Sequence, residues 1–125
     1  MTKLLLACAL VMTTACGDDN GADSLGVGAQ CGTTDDCNPD IQAVCLTPFK
    51  GGYCGLMGCV TDADCPDASA CILWDTAGTT YCFRTCVDKA ECNANRDPEN
   101  EANCSSSVMF KDGAMGRKAC VPPNG

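Results

Sequence analysis

The stretch Cys59–Cys82, CVTDADCPDASACILWDTAGTTYC, decides the fold, because its cysteine spacing recurs on both sides of it. Five, five and ten residues separate its four cysteines. Segments 31–54 and 86–120 also have five residues between their first two cysteines, and the three segments begin 28 and then 27 residues apart. A fixed period is typical of an array of small repeated units. The cysteines of the three segments are Cys31, Cys37, Cys45, Cys54, Cys59, Cys65, Cys71, Cys82, Cys86, Cys92, Cys104 and Cys120.

Cysteine, rather than a large apolar core, is the expected source of stability. Fourteen cysteines in 125 residues are typical of a disulfide scaffold, which forms in an oxidising compartment. From position 16 onward, only 15 of 110 residues are Leu, Ile, Val or Phe. We therefore expect a small disulfide-rich protein of three tandem repeats, each a short helical turn plus a β-hairpin, with little regular secondary structure.

Four cysteines in one segment can pair in three ways, and the spacing leaves all three open. We favour first with third and second with fourth, which joins the helical turn to the hairpin. A bridge such as Cys31–Cys45 closes a loop of about 15 residues and is worth roughly 3 kcal/mol through the entropy of the unfolded chain. Six such bridges would contribute on the order of 10–20 kcal/mol.

The residues between the first two cysteines predict a helical turn in every segment. Thr33-Thr-Asp-Asp36, Thr61-Asp-Ala-Asp64 and Asp88-Lys-Ala-Glu91 are close to capping boxes, in which an acid caps the start of a helix. Calcium binding is the functional alternative for the acids at positions 62 and 64. The run lacks the glycine and the further oxygen ligands of an EF-hand loop, so we predict capping and no metal site.

The second half of each segment predicts a hairpin, because β-prone runs flank turn residues there. Tyr53 and Tyr81 directly precede the fourth cysteine of their segments, and we expect them to cover a disulfide. The third segment departs from the pattern through two long gaps, 93–103 and 105–119. Each is either an interaction loop or an insertion without a role.

The N-terminus predicts export. Lys3 and the apolar run 4–12 are typical of a secretory signal over residues 1–15, too short to span a bilayer. Removing the signal leaves thirteen cysteines, twelve of them in the segments, so Cys16 is the odd one. Thr13-Thr-Ala-Cys16 resembles the lipobox of bacterial lipoproteins. That resemblance implies acyl chains on Cys16, a membrane anchor at the periplasmic face or cell surface, and residues 16–30 as a flexible tether.

Charge and missing motifs exclude several functions. The formal net charge is −8 and the sequence has no basic stripe, so we expect no nucleic-acid partner. Histidine is absent, as are the Cys-x-x-Cys, P-loop and Gly-x-Ser-x-Gly patterns. We therefore expect a non-enzymatic protein without a cofactor.

The paired spacing Cys31–Cys37, Cys59–Cys65 and Cys86–Cys92, with an acid before the second cysteine, resembles cysteine-rich extracellular modules of the Dickkopf N-terminal type. That resemblance implies a binding or structural module whose partner is an unknown protein or envelope component. The alternative is a secreted protease inhibitor that presents Lys50 or Lys111 on a disulfide-pinned loop. The last residues, 121–125, are expected to form a tail.

Overall fold

A computed structural model describes residues 26–113 and 115–124. The predicted signal peptide 1–15, Cys16 and most of the predicted tether therefore lie outside the described residues. Within that part of the chain the protein is a small disulfide-rich fold with little helix and mostly antiparallel strands. The strands are β1 (Val44–Cys45), β2 (Cys54–Met57), β3 (Ser69–Leu73), β4 (Thr80–Cys86), β5 (Asn103–Ser105), β6 (Met109–Phe110) and β7 (Lys118–Val121).

The strands of the three cysteine segments pair with one another. Their order is β1-β2-β4-β3-β6, and β7 pairs with both β4 and β5. These strands pair antiparallel. Strand β4 is central, since it pairs with the first segment through β2 and with the third through β7. The segments therefore share one sheet, which is closer contact than a string of separate units would give.

Six disulfides lie within the segments, two in each. The first cysteine bonds to the third and the second to the fourth in every segment, which is the pairing favoured from the sequence. The pairs are Cys31–Cys45, Cys37–Cys54, Cys59–Cys71, Cys65–Cys82, Cys86–Cys104 and Cys92–Cys120.

Short helical turns follow the first cysteine of each segment. They are the 3-10 turns Thr34–Asp36 and Asp62–Asp64 and the α-helix α1 (Lys89–Asn93). The acid at the third helical position accepts two backbone N–H groups each time. For Asp64 the donors are Val60 N at 2.8 Å and Thr61 N at 3.1 Å, and Asp36 and Glu91 accept in the same way. These carboxylates thus occupy the donors that a helix start leaves unpaired.

The apolar residues, although few, gather in one aromatic core. The ring of Phe49 lies edge-on to Trp74 at 5.2 Å, to Tyr81 at 5.4 Å and to Phe83 at 5.8 Å between centroids. Ala70, Ile72, Phe110 and Ala119 complete this cluster with residues of the first segment, so all three segments contribute. The sequence-based expectation that cysteine replaces a core was incomplete, because aromatic side chains each bury a large area.

Tyr53 and Tyr81 belong to this core rather than only covering a disulfide. Tyr53 is fully buried, and its hydroxyl donates to Cys120 O at 2.9 Å and accepts from Arg84 N at 3.0 Å. Its burial raises the pKa of the phenol, although the Arg84 N–H acts in the opposite direction. One tyrosine thereby ties the first segment to the other two.

Both predicted flexible ends are shorter than expected. Val27 and Ala29 are buried, Gly28 N donates to Cys54 O, and Cys54 N donates to Ala29 O. Residues 26–30 are thus part of the folded body, because their backbone bonds to both the carbonyl and the N–H of Cys54. At the other end, Lys50 N donates to Pro123 O, and Val121 lies in β7.

Candidate functional site

The cysteine sulfurs of each segment lie close together. In each segment the first, second and fourth cysteines have sulfurs within 4.8 Å of one another, as for Cys31, Cys37 and Cys54. Thiolates so spaced could hold a soft metal ion. Every one of these sulfurs is bonded to another sulfur. In this state they have a structural role.

The acids considered for calcium also have internal roles. Asp62 accepts from Cys71 N through Oδ1 at 2.9 Å and pairs with Arg117 through Oδ2 at 2.8 Å. Asp64 accepts the two backbone donors that begin its helical turn, and these bonds lower the pKa of its carboxyl. Both carboxylates therefore have hydrogen-bond partners within the protein.

The first long gap of the third segment, 93–103, docks onto the first segment. Arg96 is 6% exposed and donates to four backbone carbonyls: Asn100 O at 2.7 Å, Gly52 O at 2.7 Å, Lys50 O at 2.8 Å and Gly28 O at 3.4 Å. Its guanidinium also lies 5.8 Å from the centre of the Tyr53 ring. Burial lowers the pKa of Arg96, while the neighbouring Tyr53 and Asp97 oppose that shift.

A glutamine at the end of the predicted tether completes this contact. Gln30 Nε2 donates to Asp97 Oδ2 at 2.8 Å, and Gln30 Oε1 accepts from Asp97 N at 2.9 Å and from Asn100 Nδ2 at 3.1 Å. These bonds give the gap a structural role within the protein, so it is not an insertion without a role. Residues 93–103 join the third segment to the first segment and to Gln30, and we call this contact the Arg96 clamp. The sequence does not reveal it, because its partners lie 44–70 residues away.

The second long gap, 105–119, forms one wall of an open groove. Its residues Ser107, Val108 and Met109 face the end of the β3–β4 hairpin, at Leu73, Trp74 and Asp75, across a volume of about 390 Å³. We call this the Trp74 groove. Trp74 is half-buried, packed against Phe49, and Met109 is 62% exposed. The groove thus offers apolar surface to solvent beside a carboxylate.

The tip of the hairpin is rigid where it borders the groove. Asp75 Oδ1 accepts from Ala77 N and from Thr79 N, both at 3.0 Å, and Trp74 N donates to Thr79 O at 2.8 Å. The Thr79 N–H contributes most to holding the pKa of Asp75 below its usual range. The carboxylate therefore stays ionised at neutral pH and is fixed in position next to the indole.

The two lysines proposed for protease inhibition differ in their surroundings. Lys50 is fastened, because its Nζ donates to Glu99 O at 2.8 Å and its backbone carbonyl accepts from Arg96. Lys111 is exposed in the turn after β6, with its backbone N–H bonded to Cys71 O at 3.0 Å. The side chain of Lys50 is therefore held against the third segment, whereas that of Lys111 is exposed.

Sequence reasoning missed the Trp74 groove and the Arg96 clamp. The one available signal for the groove was the single tryptophan of the chain, placed next to a turn. Its partners at positions 107–109 belong to another segment and follow no period. For Arg96 the only signal was a lone base among acids and turn residues.

The chain matches no known protein family, and no curated protein or solved structure is significantly similar to it. Among the described residues, no helix has the length and apolar character that crossing a membrane requires. The fold and the site therefore define a class of protein. It is a small, disulfide-rich protein of antiparallel strands, whose disulfides are consistent with export.

Proposed function

We propose that the chain is an exported, lipid-anchored, non-enzymatic protein that acts as a binding or structural module at a bacterial envelope or cell surface. In this proposal the signal 1–15 is removed, Cys16 carries the acyl chains, and the three cysteine segments are repeats of one turn-plus-hairpin unit. The segments share the cysteine pairing and the capping acid, which supports their common origin as repeats.

The pairing of the cysteines carries the proposal. All twelve cysteines of the described residues are bonded to one another, so Cys16 has no disulfide partner among them. An unpaired cysteine in an exported protein is free, bonded to another chain, or put to another use. Acylation supplies one, and two or more chains give a stable membrane anchor, whereas one chain gives only marginal binding.

The position of the folded body agrees with an anchor at Cys16. Hydrogen bonding to the first segment begins at Gly28, and Val27 is already buried. The ten residues 17–26 between Cys16 and Val27 could extend to roughly 35 Å. That length would hold the module just outside a membrane surface, where a binding or structural role is possible.

The test is the intact mass of the protein from the membrane fraction of a bacterium that expresses the full chain. The proposal expects a chain beginning at Cys16 with added acyl mass, and a gain of twelve hydrogens on reduction, two for each of the six disulfides. The matched variant Cys16→Ser should lose the acyl mass and the membrane association, while keeping the disulfides. An unacylated wild-type chain in the soluble fraction would refute the anchor.

A further inference from the structure

We infer that the Trp74 groove binds an extended peptide segment in which a lysine or arginine stands next to apolar residues. This inference rests on the proposed function, since it names a partner for a module displayed outside the membrane. Three features of the groove carry it: its apolar surface, its charge, and the sheet edge beside it.

The apolar surface is unusual for so small a protein. Met109 is 62% exposed beside half-buried Trp74 and Val108, although the chain has few large apolar side chains. Exposed apolar surface that is contiguous, rather than scattered, is typical of interaction sites.

Charge complementarity selects a cationic partner. Asp75 is the one charged residue among those that line the groove, and the chain as a whole carries a net charge of −8. A lysine or arginine could approach this carboxylate and the indole together, and cations are attracted to the face of a tryptophan ring. The field of the whole protein would raise the rate at which a cationic segment arrives and would disfavour an acidic one.

The sheet edge favours an extended partner. Strand β6 stands at the end of the strand order and pairs with β3 through Ile72↔Phe110 and Leu73↔Met109. Among the described strands β6 has no neighbour on its other side. An extended peptide can add to such an edge through main-chain hydrogen bonds while its side chains enter an adjacent groove.

Trp74 provides the measurement, because it is the only tryptophan of the chain and its fluorescence reports on this groove alone. The mature protein, in non-ionic detergent, is titrated with acetyl-Val-Arg-Val-Lys-Val-amide and with the matched acidic peptide acetyl-Val-Glu-Val-Glu-Val-amide. The cationic peptide should shift the emission saturably, and the acidic one should not. Added salt should weaken the binding, because an exposed ion pair is screened.

Two variants, each with a matched control, locate the site. Asp75→Asn keeps an oxygen acceptor for the hairpin tip and removes the charge, so the dissociation constant should rise about two- to fivefold, which lies within the range for an exposed ion pair. Asp67→Asn, an exposed acid of the same segment outside the groove, should have no effect. Met109→Ser should weaken binding about threefold or more through lost apolar contact, whereas Met57→Ser, with 61% exposure elsewhere, should not.

Several outcomes would overturn the inference. These are no change in Trp74 emission up to about 1 mM cationic peptide, equal responses to both peptides, or an Asp75→Asn variant that binds as well as the wild type. A response to a neutral oligosaccharide such as chitotriose, with none to the cationic peptide, would assign the groove to a glycan and equally refute the peptide. Failure here leaves the acyl mass at Cys16 untouched, so the two proposals fail separately.

Discussion

Replacing Arg96 by methionine should destabilise the protein at one place, the contact of the third segment with Lys50 and Gly52 of the first segment and with Gly28. Arg96 is 6% exposed and satisfies the carbonyls of Asn100, Gly52 and Lys50 at 2.7–2.8 Å. Methionine has a similar length and can fill the space, but it donates no hydrogen bond. The comparison therefore isolates the hydrogen bonds from the packing of the side chain.

The expected loss in the free energy of unfolding is about 2–4 kcal/mol. Hydrogen bonds that involve a charged group contribute about 1.5–3 kcal/mol each, and a buried carbonyl left unpaired costs about 1–3 kcal/mol. Three such bonds would together exceed the expected loss of about 2–4 kcal/mol. Burying the charged guanidinium costs free energy, however, and methionine removes that cost. Lys50 is also exposed, so water can replace its bond.

Urea denaturation with the disulfides intact measures the change, and hydrogen exchange locates it. Protection should fall at the backbone amides of 26–30 and 93–103, while strands β3 and β4 stay protected. The control is Arg117→Met, because Arg117 makes a partly exposed ion pair with Asp62 and should cost no more than about 1 kcal/mol. If Arg96→Met matched the wild type within about 0.5 kcal/mol, or if protection fell uniformly, the clamp would have no energetic importance.

Three further changes test other parts of the fold. Gly52→Ala should prevent correct oxidation, because a Cβ there collides with Cys31 O and comes within 2.8 Å of both sulfurs of the adjacent disulfide; disulfide mapping that gave the native pairs in normal yield would contradict this. Ala68→Gly should raise the free energy of unfolding by up to about 1 kcal/mol, because Ala68 has φ 61°, a conformation that glycine adopts without strain. An unchanged or lower midpoint temperature in thermal melts would count against strain at this position. The free energy of unfolding should fall as the pH drops below about 4, because backbone N–H groups lower the pKa of several carboxyls in the folded state. The stability that these carboxyls contribute is complete above their pKa in the unfolded chain, and it is lost as the pH falls through their lower pKa in the folded protein. Equal urea midpoints at about pH 7 and pH 2.5 would refute this linkage. The carboxyls concerned are those of Asp36, Asp64 and Asp75.

The disulfides and the contacts between segments stabilise different parts of the protein. The six disulfides each close a loop inside one segment, with sequence separations from 12 to 28 residues. They stabilise the segments one by one, chiefly by restricting the unfolded chain. The Arg96 clamp, the Tyr53 hydroxyl and the aromatic core join segments to each other. Variants of the second group should therefore loosen the arrangement of the segments before they open a hairpin.

The sequence by itself determined the local features of the fold. Cysteine spacing defined three segments, and the acid before each second cysteine indicated a capped turn, as at Asp64. The favoured cysteine pairing is the one in the structure. These features were readable because their partners lie within one segment, where spacing constrains geometry. The lipid anchor at Cys16 stays a prediction, since it concerns residues outside the described part.

Only the tertiary structure decided how the segments combine. The central place of β4, the burial of Arg96 and the position of Trp74 in a groove depend on contacts between residues far apart in the chain. Tyr53 with Arg84 and Gln30 with Asn100 are examples, 31 and 70 positions apart. Aromatic residues are few. Apart from Tyr53 and Tyr81, which precede the fourth cysteine of their segments, they follow no period, so their convergence on Phe49 has no sequence signature. The physical reason is that burial depends on which segments meet in space, and a pattern of neighbours along the chain does not contain that information.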